Sequence, residues 1–208
     1  MIVVVDYGMG NLRSVSKALE SLGAAARVSS DPSDVARADK LILPGVGASP
    51  AAMRELGARR LIDPIKAAIA SGKPYLGICL GLQLLFDRGE EGGGGAGLAV
   101  LPGTVKRFRF DSQLATRNSQ LKVPHMGWNQ VSAQKRCPLL SDIPNGSFFY
   151  FVHSYYADPA DRSVIALESD YGGPFAAMVW RDNLYATQFH PEKSQSIGLR
   201  LLKNFINL

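Results

Sequence analysis

Three short apolar runs, each closed by a glycine-bearing turn, set the strongest limit on how this chain can fold. Met1-Ile-Val-Val-Val5 enters Asp6-Tyr-Gly-Met-Gly-Asn11, and Lys40-Leu-Ile-Leu43 enters Pro44-Gly-Val-Gly47. Tyr75-Leu-Gly-Ile78 enters Cys79-Leu-Gly81. Runs that stay apolar without alternating suit strands covered on both faces, as in a parallel sheet. The intervals carry helical periods. Leu12, Val15, Leu19 and Leu22 share one helical face, with Gly23 as the stop signal. A second short strand is predicted at 26–29. Helical material is predicted over 49–70, interrupted at Gly57 and Pro64, and again over 80–86. This β-α-β-α rhythm predicts an α/β fold, an open sheet with helices on both faces.

The pattern changes after the glycine-rich stretch 92–97, which reads as a flexible loop. Strands are predicted at 104–110, 128–131, 148–152, 164–168, 175–180 and 184–189, with Asn145-Gly146 and Asp182-Asn183 as hairpin punctuation. A last helix carries Ile197, Leu201 and Phe205 at four-residue spacing. There is no internal repeat or clear linker, so one domain over 1–208 with an antiparallel extension is expected.

Composition narrows the function classes. At 208 residues, with 46% hydrophobic and 20% charged residues, the chain is long enough for one packed core and has no apolar run able to span a bilayer. Met1–Val5 lacks a basic leader or cleavage site and reads as a first strand rather than a signal peptide. With only two cysteines, Cys79 and Cys137, a disulfide scaffold is not expected and a reducing cytoplasm is. The formal charge of +5 raises nucleic acid as a partner, since Lys106, Arg107, Arg109, Arg117 and Lys122 crowd around Asp111. Phe108 and Phe110 alternate with these cations as in a strand with one solvated face, so neither nucleic acid nor membrane binding is expected.

The chemistry starts at Gly77-Ile-Cys-Leu-Gly81, which has the form of a nucleophile elbow. Flanking glycines permit a tight strand-to-helix turn, and helix N-terminal N–H groups favour an anion at the junction. Taken alone, Cys79 reads equally well as a small core residue. Downstream, His190-Pro-Glu192 closes a predicted strand at the carboxyl edge, where open α/β sheets place their sites. Residues two apart in an extended segment face the same way, so Glu192 can accept from His190 Nδ1 and leave Nε2 to act on the thiol. An oxyanion needs two backbone donors. Leu80 N–H is one candidate, and the loop Gly45-Val46-Gly47 is expected to supply the other. That loop lacks the lysine and spacing of a phosphate loop, and Asp6–Asn11 is only half a dinucleotide fingerprint, so no cofactor is expected.

Together, Pro44-Gly-Val-Gly47, Gly77-Ile-Cys-Leu-Gly-Leu-Gln83 and Gln188-Phe-His-Pro-Glu-Lys193 resemble the class I, triad-type glutamine amidotransferases. Asp6-Tyr-Gly-Met-Gly-Asn-Leu-Arg13, Pro124-His-Met-Gly-Trp-Asn129, Tyr150-Phe-Val-His-Ser-Tyr155 and Glu192-Lys-Ser194 narrow the resemblance to the glutaminase subunits of imidazole glycerol phosphate synthases. The resemblance implies a flavodoxin-like, mainly parallel sheet. It implies Cys79 as nucleophile, His190 as general base and acid, and Glu192 as orienting carboxylate. Gln83, Gly47, Leu80, Ser154 and Tyr155 would contact glutamine. Asn11, Trp128, Tyr150 and Lys193 would face a (β/α)8-barrel cyclase in a heterodimer for histidine biosynthesis. The plainer reading makes Trp128 and Tyr150 core aromatics and Lys193 a solvated helix start.

Two departures stand out. Ala48-Ser-Pro50 replaces an expected aromatic residue after the glycine loop, and 111–121 is longer and more polar than the family pattern, as a mobile hairpin tip would be. His125 and His153 match family positions outside the triad and are expected to be structural or interface residues, not metal ligands. Three rival readings remain: the glutaminase of a different synthase, a cysteine hydrolase working alone, and a flavodoxin-like binding module in which Cys79 only packs.

Overall fold

The computed structural model describes residues 1–110 and 121–208. The expectation of a mobile hairpin tip at 111–121, and the position of Arg117, fall on or next to residues outside that description.

The chain opens with β1 (Ile2–Val5), α1 (Leu12–Ser21), β2 (Ala26–Ser29), α2 (Pro32–Arg37) and β3 (Lys40–Gly45). Next come α3 (Ser49–Ala58), α4 (Ile62–Ala70), β4 (Tyr75–Cys79) and a single turn, α5 (Leu80–Gln83). The strands β5 (Phe86–Gly89), β6 (Gly95–Ala96), β7 (Leu101–Arg107), β8 (His125–Ala133), β9 (Phe148–His153) and β10 (Tyr155–Pro159) follow. The chain ends with β11 (Ile165–Asp170), β12 (Pro174–Arg181), β13 (Leu184–Thr187) and α6 (Gln195–Ile206). No helix among the described residues is long and apolar enough to cross a membrane.

The main sheet has nine strands in the order β2-β1-β3-β4-β13-β12-β11-β8-β9. The neighbours from β2 to β13 run parallel, and from β13 to β9 each pair is antiparallel. The uninterrupted apolar runs explain the parallel half: every residue of β1, β4 and β13 is buried. Side chains alternate between two cores. Val3, Val5, Leu41 and Leu43 join Val35 of α2, Leu56 of α3 and Ile65 of α4 on one face. Ile2, Val4, Ile42 and Leu76 join Val15 and Leu19 of α1 and Leu201 and Phe205 of α6 on the other. Lys40 ties the start of β3 to α6 by donating to the carbonyls of Phe205 and Ile206, orphan acceptors at a helix end.

Several local expectations are corrected. The helix expected over 80–86 stops after one turn, because Leu98 N–H takes the Leu84 carbonyl and Leu101 N–H takes that of Leu85. The chain there turns into β5. The stretch 92–97 is not simply a loop, since it holds a 3-10 turn (Glu91–Gly93) and β6. The break in 49–70 falls at Arg59–Leu61, where Arg60 has φ 56°, and neither Gly57 nor Pro64 interrupts its helix. Proline is tolerated in a first turn, which explains Pro64. A second sheet, β10-β7-β5-β6, was not anticipated. Nor was α2, although Asp31 caps it by accepting from Ser33 N–H and Pro32 opens it.

The turn after β4 is packed too closely for side chains. A Cβ on Gly81 would overlap the Leu43 carbonyl of β3. Gly81→Ala is expected to lower unfolding free energy by about 1–3 kcal/mol, measured by urea denaturation, because backbone and not a flexible side chain stands in the way.

Candidate active site

Register builds the site. Gly45 at the end of β3 pairs with Cys79 at the end of β4, and Thr187 of β13 pairs with Ile78. The residues following β13 therefore emerge beside the thiol. Cys79 itself sits at φ 55°, ψ −104°, a strained conformation for a residue with a Cβ. It joins β4 directly to α5, as the elbow pattern requires. Gly45 is buried under the elbow, where a Cβ would lie 2.7 Å from Leu80 Cβ and against the Tyr7 hydroxyl.

His190 Nδ1 lies 2.8 Å from Glu192 Oε1, and both side chains are almost wholly buried. The expected extended geometry is corrected. His190 is extended, as a residue before proline tends to be, but Pro191–Lys193 form a 3-10 turn that folds Glu192 back beneath the ring. His190 N–H donates to the Tyr150 carbonyl, and Ser194 Oγ donates to the His190 carbonyl, so the turn is held from both sides. His190 Nε2 makes no hydrogen bond of good geometry among the described residues. Burial works against an imidazolium here, but the facing Cys79 and the Glu192 carboxylate outweigh it and raise His190 to about 10. Burial, then the charge of Cys79, push Tyr7 above the ordinary phenol value.

A cavity of about 280 Å³ opens over the thiol, at the small end of the ~300–1,000 Å³ usual for ligand sites. Cys79, His190, Leu80, Gln83, Val46, Gly47, Ser154 and Tyr155 all line it, which gathers the expected nucleophile, base and substrate residues in one place. Lys193 reaches its rim; Gly45, Asn11, Trp128 and Tyr150 do not line it. Glu91 also lines the cavity and was missed by the sequence reading. One of its oxygens accepts from Ser49 N–H at 2.7 Å. The single sequence cue was its place in the acidic pair Glu90-Glu91 before a glycine run.

The expected interface residues form a surface of their own. Along β8 and β9, Trp128 pairs with Tyr150 and their rings pack edge to face 6.2 Å apart. The Lys193 ammonium lies 5.9 Å over the Tyr150 ring. Met126, Trp128 and Phe148 are 62%, 46% and 54% exposed, so Trp128 is not a core aromatic. Asn11 holds the N-cap position of α1 without spending its side chain on a cap hydrogen bond.

His125 and His153 face inward from the same two strands, 3.0 Å apart between Nδ1 and Nε2. They sit among Phe108, Phe151 and Phe175. Burial lowers them to about 4 and about 3. Of the basic cluster, Lys106 pairs with Asp158 and Arg109 with Glu90.

A strained thiol on a strand–turn, a buried His–Glu pair and a glycine loop around a small cavity have the arrangement that cysteine-dependent acyl transfer requires, on an open α/β sheet. The glutamine amidotransferase class-I family profile matches residues 3–208, and the chain belongs to that family. It is 57% identical over 205 residues, 99% of this chain and 98% of the relative, to the imidazole glycerol phosphate synthase subunit HisH of Syntrophotalea carbinolica. With the protein of that name from Rhodopirellula baltica it shares 56% over 205 residues, 99% and 96% of the two chains. Among solved structures, a glutamine amidotransferase superposes with TM-score 0.74 at 19% identity, covering 100% of this chain and 98% of that one. The PurLQS structure from Thermotoga maritima gives 0.73 at 21%, covering 99% and 97%. At such identities these structures speak for the fold alone.

The raised His190 has a sign that can be measured. Its contribution to folding stability is complete below its ordinary 6.5 and fades as pH climbs through about 10. In a ring-proton NMR titration, His190 is expected to stay protonated across neutral pH. Glu192→Gln and Cys79→Ala should each bring its midpoint down; an unchanged midpoint in both would refute the charge pairing.

Proposed function

We propose that this chain, as a single domain over 1–208, is the glutaminase subunit of a cytoplasmic imidazole glycerol phosphate synthase. The observation that carries the reading is one cavity sized for a single amino acid, with thiol, imidazole–carboxylate pair and glycine loop around it. The named relatives match nearly full length and supply the synthase.

In this reading the Cys79 thiolate attacks the side-chain carboxamide of glutamine. Negative charge develops on the carbonyl oxygen beside Leu80 N–H and the Val46–Gly47 backbone. The tetrahedral intermediate collapses by breaking the C–N bond, and imidazolium Nε2 of His190 protonates the departing ammonia. Water then attacks the thioester, His190 takes its proton, and glutamate leaves as the thiolate re-forms. Glu192 holds the ring so that Nε2 faces the sulfur throughout. Glutamine is a zwitterion, and Glu91 offers the pocket a carboxylate for its ammonium, with one oxygen anchored on the α3 N-terminus.

Ammonia released into neutral water would be protonated and lose its nucleophilicity, so the product calls for a docked acceptor. The exposed aromatic face of β8 and β9, with Lys193 at the cavity rim, suits a protein partner: aromatic anchors with a cation at the edge. We assign that face, with Asn11, to a (β/α)8-barrel cyclase that joins the nitrogen to a ribulosyl-type aminoimidazole intermediate.

Cys79→Ala is expected to abolish imidazole glycerol phosphate synthesis from glutamine and to leave synthesis from ammonium salts intact in the complex. Loss of both would contradict the division of labour. Glu91→Gln should raise KM for glutamine by about 10- to 100-fold with kcat nearly unchanged, given the usual strength of a hydrogen bond to a charged group. Steady-state kinetics of glutamate release decide that; a pure kcat effect would remove Glu91 from substrate binding.

A further inference from the structure

One fully buried side chain links the thiol to the substrate wall and has no role in the mechanism so far. Gln188 directly follows β13, where the sheet register sets it beside Cys79. Its Nε2 donates to Cys79 Sγ at 3.7 Å, and its Oε1 accepts from Gln83 Nε2 at 3.1 Å. Gln83 Nε2 also donates to the Tyr155 carbonyl at 3.0 Å.

The direction of this chain is forced. A backbone carbonyl can only accept, so Gln83 must turn its NH2 to Tyr155. That NH2 then meets Gln188, which must answer with its oxygen. Gln188 is left with its own NH2 against the sulfur. Reversing either amide would set oxygen against oxygen, or NH2 against NH2, between two buried side chains. Such unmet buried groups are costly. The starting point is itself held, because His153 Nδ1 approaches the same Tyr155 carbonyl at 2.7 Å and can only donate there. His153 Nε2 is then an acceptor, so His125 Nδ1 is its donor and His125 Nε2 faces the Asn129 amide at 3.3 Å.

Two consequences follow. The sulfur lies 3.9 Å from the Val152 carbonyl, which favours a thiol over a thiolate. An N–H from Gln188 on the opposite side of that balance favours the thiolate. With both N–H groups of Gln83 engaged, its carbonyl oxygen is the polar atom left to a side chain that lines the cavity. It is suited to accept from an amide or ammonium of the substrate.

We propose that Gln188 is a further catalytic residue, whose carboxamide supports the Cys79 thiolate and fixes Gln83 to present an oxygen to the substrate. The second half rests on the glutaminase reading; the first does not.

The test uses the full chain with its cyclase partner and two substitutions. Gln188→Met keeps length and removes both polar atoms. Gln188→Glu keeps an oxygen for Gln83 and puts a second one on the sulfur. Iodoacetamide labelling of Cys79 is followed by peptide mass across pH, separately from glutamine turnover. Both variants should label more slowly than native, by up to about tenfold on the acid limb of the rate curve. For glutamine, Gln188→Met should raise KM as well as lower kcat. Gln188→Glu should lower kcat with KM within about twofold, since its oxygen still holds Gln83. Labelling curves that superimpose on native overturn the role on the sulfur, and equal KM in all three proteins overturns the role on Gln83. Should Gln188→Met fail to fold, Gln188→Glu carries the sulfur arm alone. Because labelling needs no glutamine, a native complex without glutaminase activity would strike the assigned reaction and leave the sulfur arm readable.

Discussion

Everything at the site hangs on the parallel register of three strands. β3, β4 and β13 end level, so Gly45, Cys79 and the residues after Thr187 reach the same edge from segments far apart in sequence. A one-residue slip in a parallel pair would invert every side chain across the sheet. That slip is costly here because both faces are packed: Leu41 and Leu43 belong to one core, Ile42 to the other. The apolar runs that define the fold thus also aim the chemistry. The strain at Cys79 is affordable in the same terms, since the Gly81 turn is locked against the Leu43 carbonyl and has no alternative seat.

The same residue type takes opposite charge states within this framework, and burial alone does not decide which. Burial disfavours the imidazolium at His125, His153 and His190 alike. The first two meet each other, an Asn amide and a backbone carbonyl, and stay neutral. His190 meets a carboxylate and a thiol, and is driven the other way. Neutral histidines have a definite donor and a definite acceptor, which makes them useful for passing hydrogen-bond direction along a chain. A protonated one is useful for giving a proton away. The partners chosen by the strand neighbours decide between these uses.

What the sequence made legible divides along physical lines. The parallel strands, α1, α6, the elbow and the base–carboxylate pair were readable because each is encoded locally, in an apolar run, a helical stripe or a short motif. The failures are where a distant segment takes over. The helix after Cys79 ends at Gln83 because residues 98–101 capture the carbonyls of Leu84 and Leu85, a contact no local propensity reports. β10 and the second sheet exist only because Tyr155–Arg107 and its neighbours pair across the chain. Glu91 reaches the cavity because the chain folds back to cap α3, so composition left it an ordinary acid in a glycine loop. Gln188 stood in full view inside a motif, and only the register of β4 and β13 shows what it touches.

The β8–β9 hairpin joins two of these themes. Strand alternation sends Met126 and Trp128 outward and His125 inward, and on the facing strand sends Phe148 outward and His153 inward. The outward row is the exposed aromatic face. The inward row begins the hydrogen-bond chain that ends at Gln83 and Gln188. The exposed face proposed for a partner and the hydrogen-bonded row beside the cavity are therefore two faces of one pair of strands, separated by the thickness of a backbone. The inner row of this hairpin meets the two amides at one atom, the Tyr155 carbonyl, which faces both His153 Nδ1 and the Gln83 NH2.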